Sequence, residues 1–302
     1  MDNRKIILTG ATGWLGQNAI YQYQKIYGYE NLYNSVILIG SREREFELFK
    51  DKKPLHIYDL TKLNSIDSAI SLLHLAFLTR EKISNFGRQR YVLECQKISK
   101  TVENFISKNP AIPIITISSG VASLLDKKNT IFDEYALLKK QEEIIWKKYS
   151  NNRLSLVFRL YAATGMFMPN PARFALGDFL LSSLAGNRLK IKSRKKVLRS
   201  YVHLGTLMNL CWRILQYPSE LGTGFFRYNA CTDKIDILNL AKLISSNWDL
   251  PFPEEEIDYS LNPDDYTADS AEFIDLLSKF SLKSPSLMSQ IIETANFMNI
   301  SN

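Results

Sequence analysis

Cysteine and histidine are scarce in this chain, three of each in 302 residues. Cys95, Cys211 and Cys231 are an odd number and widely spaced, so no disulfide framework and no zinc-ligand spacing is written into them. They read as core filler in a protein kept in a reducing compartment. His56, His74 and His203 form no metal-ligand cluster and read as structural. Long apolar runs are missing too: nothing approaches the roughly 18 residues that a membrane span needs. The charged start, Met1 to Lys5, leads straight into a strand pattern and not into the apolar region of a signal peptide. The expectation is a soluble, cytoplasmic globular protein with no membrane role. Repeats, low-complexity stretches and an independent linker are also absent.

What is present supports a sizeable core, with 45% hydrophobic residues and room for one large domain or two unequal lobes. Lys and Arg outnumber Asp and Glu by 38 to 31, a mild excess that suits a basic enzyme surface better than a nucleic-acid groove. It is locally concentrated in "KIKSRKKVLRS", residues 190 to 200. That stretch is either a solvated hairpin or a site for an anionic ligand. Arg199 stands apart from the lysines, because a guanidinium fork matches a diphosphate.

Through the first half of the chain, short apolar, β-branched runs alternate with longer helical patterns. IILT is followed by GWLGQNAIYQYQKIY, then SVILIG, LHIYDL, LLHLAF, a long helical segment near 88 to 108, and PIITISS. Such alternation predicts βαβ units, giving an α/β fold with a doubly wound parallel sheet whose strands are buried on both faces. Beyond Leu160 the regularity weakens, with prolines in MFMPNPAR and DLPFPEEE. We therefore expect a Rossmann domain over 1–160, to which the chain returns around 199–230, and a smaller mixed α/β substrate lobe made mostly of 161–302.

Gly10, Gly13 and Gly16 follow the first strand and open a helix. One glycine permits the tight turn, the second lets backbone approach a pyrophosphate, and the third lets helix and strand pack closely, with the helix N-terminus facing the negative charge. An ordinary tight turn has the same composition; the position after the first strand favours dinucleotide binding. At the end of the second strand, VILIGSRERE offers Ser41, Arg42 and Arg44 where an acidic residue would accept the ribose hydroxyls of NAD. A 2'-phosphate is therefore welcome, and NADP is preferred to NAD, although Glu43 and Glu45 alternate with the arginines. Asp59 and Leu60 sit at a further strand end, where a carboxylate and a backbone amide can read adenine; an Asp there is also an ordinary turn residue.

Chemistry belongs at the carboxyl edge of such a sheet. There IPIITISSG delivers Ser118 and Ser119, and YALLKKQEE presents Tyr135 and Lys139, four apart and so stacked on one helix face. An ammonium near a phenol favours the phenolate and eases proton exchange with a carbonyl near neutral pH. Tyr and Lys at this spacing also arise by chance on solvated helices. Their place after the glycine turn and the serine pair makes them the catalytic candidates.

Taken in order, these motifs resemble the extended short-chain dehydrogenase/reductase family, NAD(P)-dependent epimerases, dehydratases and reductases of nucleotide-linked sugars, over nearly the whole chain. TGATGWLG resembles the TGxxGxxG fingerprint, HLAF at 74 to 77 a strand end beside the cofactor, and SSG with YxxxK the catalytic set. RLYAATG, FALGDFLLSSLAGNRLKI, LRSYVHL and YNACTDKIDILNLAKLI resemble later segments of the same family. The resemblance implies Ser119, Tyr135 and Lys139 as catalytic residues, with Ser118 a possible substitute for Ser119. It implies Gly10, Thr12, Gly13, Trp14, Leu15, Gly16, Ser41, Arg42, Asp59, Leu60, Leu75 and Ala76, with Tyr135 and Lys139, around the cofactor. Arg199 would meet the substrate diphosphate alongside Ser119.

The departures narrow the chemistry. Dehydratases of the family carry an Asp-Glu pair directly after the catalytic hydroxyl, and here Gly120 and Val121 stand there, which argues against a 4,6-dehydratase. Ala162 and Lys97 replace asparagines common in the family, and the intervals from Ser119 to Tyr135 and from Asp59 to His74 are short. Between the two chemistries left to the same residues, the Ser41-Arg42 strand end tips the expectation toward an NADPH-dependent reductase of a nucleotide-activated 4-keto-6-deoxyhexose, with an NAD-dependent 4-epimerase as the alternative; a place in surface-polysaccharide assembly is what the resemblance implies. A non-catalytic NADP-binding module is less favoured, since both Tyr135 and Lys139 are in place. Relatives pair through two helices per subunit, so the helices near 88 to 108 and 133 to 149 are expected to make a homodimer.

Overall fold

The computed structural model describes residues 5–125 and 134–301. The chain divides into two compact units, one of residues 1–159 and 208–228, the other of 160–207 and 229–302.

In the first unit, β1 (Lys5–Thr9) is followed by α1 (Trp14–Tyr27), α2 (Tyr29–Ser35), β2 (Val36–Gly40), β3 (Arg44–Phe46), β4 (Leu55–Asp59) and β5 (Ala69–His74). Then come α3 (Lys82–Phe86), α4 (Arg88–Lys108), β6 (Ile114–Ser119), α5 (Val121–Leu124), α6 (Glu134–Lys148) and β7 (Leu154–Leu160). The first residue of the expected 133–149 helix lies outside the described residues. The sheet runs β10-β7-β6-β5-β1-β2-β4-β3, where β10 is Gly224–Ala230. β1 pairs in parallel with both β2 and β5, β2 with β4, and β5 with β6. This is the Rossmann-type doubly wound order, and the strand order reverses between β1 and β5, where ligands of such sheets bind beyond the carboxyl ends.

Apolar strands dictate the arrangement. Every residue of β6 is buried, as are six of the seven in β7, so both faces of these strands need helical cover. Ile7, Ile39, Leu72, Val102, Phe105, Ile114, Trp146 and Val157 close into one core cluster. α1 ends at Gly28, whose φ of 85° is a conformation that L side chains rarely adopt. β3, by contrast, is a three-residue antiparallel edge strand on β4 that the sequence did not announce.

In the second unit, β8 (Ala162–Thr164) pairs in parallel with β9 (Val197–His203), which also takes β11 (Asp233–Asp236) antiparallel and β12 (Asp264–Tyr266) parallel. Its helices are α7 (Ala175–Leu184), α9 (Ile237–Asn247), α10 (Ala271–Lys279) and α11 (Leu287–Ser301). α8 (Leu204–Gln216) begins in this unit, and from Met208 onward it counts with the first. Among the described residues, no helix is long and apolar enough to cross a membrane.

Candidate active site

The glycine turn sits where β1 and β5 end side by side. Gly10 has φ of 73°, and a Cβ built on it would lie 2.6 Å from the backbone carbon of Leu75 and 2.7 Å from the nitrogen of Ala76. A Cβ on Gly16 would meet the Gly10 carbonyl oxygen at 2.1 Å, so α1 lies directly on the turn only because that side chain is missing. Gly13 differs: the one atom near its Cβ position is the Gly10 oxygen at 3.4 Å, which leaves its outer side open. α1 starts there with no side-chain cap and no acidic residue in its first turn. These features fit a dinucleotide pyrophosphate, which needs bare backbone and an uncompensated helix N-terminus. Thr12, Trp14 and Leu15 line this same turn and first helical residues.

At the end of β2, Ser41 and Arg42 are exposed. Among the described residues Arg42 has no ion-pair partner, whereas Glu43 and Glu45 both turn to His56, at 3.2 and 2.7 Å. The Glu45 hydrogen bond, with help from Glu43, pushes the His56 pKa up. The two carboxylates that alternate with the arginines are thus drawn to a histidine. Asp59 Oδ1 accepts from the Thr61 amide at 2.9 Å and from its hydroxyl at 2.7 Å, which lowers the Asp59 pKa and makes it the cap of the 3-10 turn that begins with Leu60.

The two serines of β6 part company, as neighbours on a strand must. Ser118 Oγ donates to Glu143 Oε1 at 2.8 Å, inside a buried knot where Glu143 also accepts from Arg159 Nε and Nη2 at 2.8 and 2.7 Å. This commits Ser118 to structure. Ser119 belongs to the opposite face and lies 3.5 Å from the Val121 amide, which donates to its Oγ.

α6 carries Tyr135 at its first turn and Lys139 one turn later. Tyr135 is partly exposed, and its ring meets that of Phe77 edge-on at 5.9 Å between centroids. Lys139 is only 5% exposed, and its ammonium donates to the Ile117 carbonyl at 3.1 Å and to Glu142 Oε2 at 3.0 Å. Its hydrogen bonds therefore go to the sheet and to Glu142, not to the phenol. Glu142 accepts in turn from Ser99 Oγ at 2.9 Å and lies 3.5 Å from His74 Nε2, while His74 Nδ1 is 2.7 Å from Thr9 Oγ1. Thr9 Oγ1 finally accepts the Ala76 amide at 3.3 Å. A continuous buried polar chain thus runs from Lys139 to the strand end that carries the glycine turn. Burial alone would raise the Glu142 pKa, yet Lys139 and His74 outweigh it and the net direction is down.

In the second unit, Arg199 on β9 donates to the Asp264 carbonyl at 3.1 Å and to its carboxylate at 2.6 Å, and lies 5.9 Å over the Tyr266 ring. A diphosphate there would compete with Asp264. Among the described residues, no group of His, Cys, Asp and Glu is placed to hold a metal.

Glu142, Glu143, Phe77 and Thr9 were missed as site residues when only the sequence was considered. The carboxylates had a signal: positions 139, 142, 143 and 146 share one helical face, and that face is the buried one. Phe77 had none, because its partners lie on a helix remote in sequence.

Scanned against protein-family models the sequence matches none, and no curated protein matches it in sequence. Solved structures do match in fold. A UDP-N-acetylglucosamine 4-epimerase from Methanobrevibacter ruminantium M1, in complex with UDP-N-acetylmuramic acid, shows 17% identity and a TM-score of 0.73 over 100% of both chains. A dTDP-glucose 4,6-dehydratase from Bacillus anthracis str. Ames, in complex with NAD, shows 13% identity and a TM-score of 0.72, covering 99% of this chain and 97% of its own. A UDP-glucose 4-epimerase from Thermotoga maritima with UDP-glucose shows 16% and 0.70, over 98% and 99%. The chain has the fold of these nucleotide-sugar enzymes from end to end.

Proposed function

We propose that this protein is an NAD(P)-dependent oxidoreductase of nucleotide sugars, and specifically an NADPH-dependent reductase of a nucleotide-activated 4-keto-6-deoxyhexose. One observation carries the reading: Lys139, buried on α6 against the carboxyl end of β6, is joined by hydrogen bonds and close polar contacts to the strand that opens the glycine turn. Bound NADPH would supply hydride to the keto carbon. Tyr135 would give the proton to the sugar oxygen, with Ser119 orienting that oxygen and Lys139 supporting the phenolate and the nicotinamide ribose. Gly10, Gly13, Gly16 and the first turn of α1 would hold the pyrophosphate, Asp59 and Leu60 the adenine, and Arg199 the substrate diphosphate. The exposed Arg42 beside Ser41, without an ion-pair partner among the described residues, supports NADPH over NADH.

The second reading is an NAD-dependent 4-epimerase, favoured by the matched structures, two of which are 4-epimerases and one of which holds NAD. Both readings use the same residues, in a homodimer and in the synthesis of surface-polysaccharide sugars. The test offers purified protein NADPH or NADH with dTDP-, UDP- and GDP-linked 4-keto sugars and follows nicotinamide absorbance. Tyr135→Phe should lower turnover by about 100-fold or more, and retention of most turnover would remove Tyr135 from the mechanism. NAD retained through purification, with no net oxidation of added NADPH, would select the epimerase.

A further inference from the structure

Lys139 has three N–H donors and, among the described residues, three partners that use them. The first is the Ile117 carbonyl at 3.1 Å, the second is Glu142 Oε2 at 3.0 Å, and the third is the face of Phe77, whose centroid is 3.5 Å from Nζ. No donor is left over for a cofactor hydroxyl. If Lys139 is to take the nicotinamide ribose, one of the three must yield.

Their anchoring differs greatly. Ile117 belongs to a central strand with every residue buried. Glu142 is 3% exposed and held by Ser99 and His74 as well as Lys139, so parting it from the ammonium would strand a buried charge. Phe77 lies beyond the end of β5, partly exposed and outside any helix or strand. Its hold on the ammonium is the weakest and the easiest to replace. The same ring abuts the ring of Tyr135, so it touches both proposed catalytic side chains of α6.

We infer that Phe77 is a gate: its ring occupies the donor position of Lys139 that the cofactor ribose requires, and cofactor binding displaces it. This rests on the reading of Lys139 as a cofactor ligand. It adds a residue that sets cofactor affinity by competition and holds the site closed until a dinucleotide arrives.

The test is binding, not turnover. NADPH and NADH are titrated into the full-length wild type, Phe77→Ala and Phe77→Leu by reduced-nicotinamide fluorescence, and association is followed by stopped flow. Phe77→Leu keeps the bulk of the side chain but lacks a π face, and it stands in if the alanine variant melts early. Both variants should bind on the order of tenfold more tightly than wild type. The wild-type association rate should level off with cofactor concentration, at the rate of ring displacement, and the variants' rate should stay linear. Mere packing damage would weaken binding instead. Equal or weaker binding in both variants overturns the gate and leaves the cofactor reading standing. Binding by the variants alone supports it, and no binding by any of the three proteins overturns both.

Discussion

Glu142 is a carboxylate with 3% of its surface exposed, and it is tolerable only because Lys139, His74 and Ser99 surround it. The direction of its shift fixes how stability responds to acid. Its folded pKa lies below the unfolded value, so the contribution is present above the ordinary carboxylate range and is lost as pH falls through the folded pKa. Glu142→Gln is expected to cost about 3 kcal/mol at pH 7, since it leaves the Lys139 ammonium buried without its counter-charge. It should also flatten the acid side of the curve of unfolding free energy against pH. Urea denaturation at stepped pH values measures both, and an unchanged acid limb would show that Glu142 is not the group being protonated. At this scale the sequence shows what local spacing alone sets. Tyr135 and Lys139 are visible as a pair one turn apart, whereas Phe77 acquires meaning only when β5 and α6 are brought together, and no local pattern encodes that approach.

Elements were legible in proportion to their burial. The strands covered on both faces, β1, β2, β5, β6 and β7, announce themselves as apolar runs. β3 does not, because an edge strand reading Arg-Glu-Phe has neither an apolar face nor length, and its register comes from pairing with β4. α4 and α6 carry a different message on their outer sides. Leu93 is 65% exposed, Leu137 46% and Ile144 60%, a concentration of large apolar groups on the two helices proposed to pair with a second copy. If they form that interface, the double variant Leu93→Glu, Ile144→Glu should sediment as a monomer with its thermal transition intact, and a wild type that sediments as a monomer at micromolar concentration would end the dimer proposal.

For the whole molecule, the weave of the chain matters most. The first unit is built from 1–159 and 208–228, and the later piece is no ornament. It brings β10 to the sheet edge, and it brings Trp212, which is buried, donates to the Ala19 carbonyl at 2.8 Å and meets Tyr23 edge-on at 5.0 Å. A fragment ending at Leu160 therefore lacks the partner of a core helix face and is expected to lose cooperative melting and near-ultraviolet circular dichroism. A sharp thermal transition in that fragment would show that β1 to β7 suffice. The alternation of strands and helices gave away the sheet, but the value of Trp212 to α1 arises from a contact across most of the chain.

That weave also imposes an order on synthesis. The glycine turn leaves the ribosome long before Trp212 does, so α1 has no tryptophan to lean on until the chain has been extended past that residue. At about 5–20 residues per second, the nascent N-terminal half waits many seconds with an apolar helix face uncovered. During that interval the surface around Ala19 and Tyr23 that Trp212 later covers is open to non-native association.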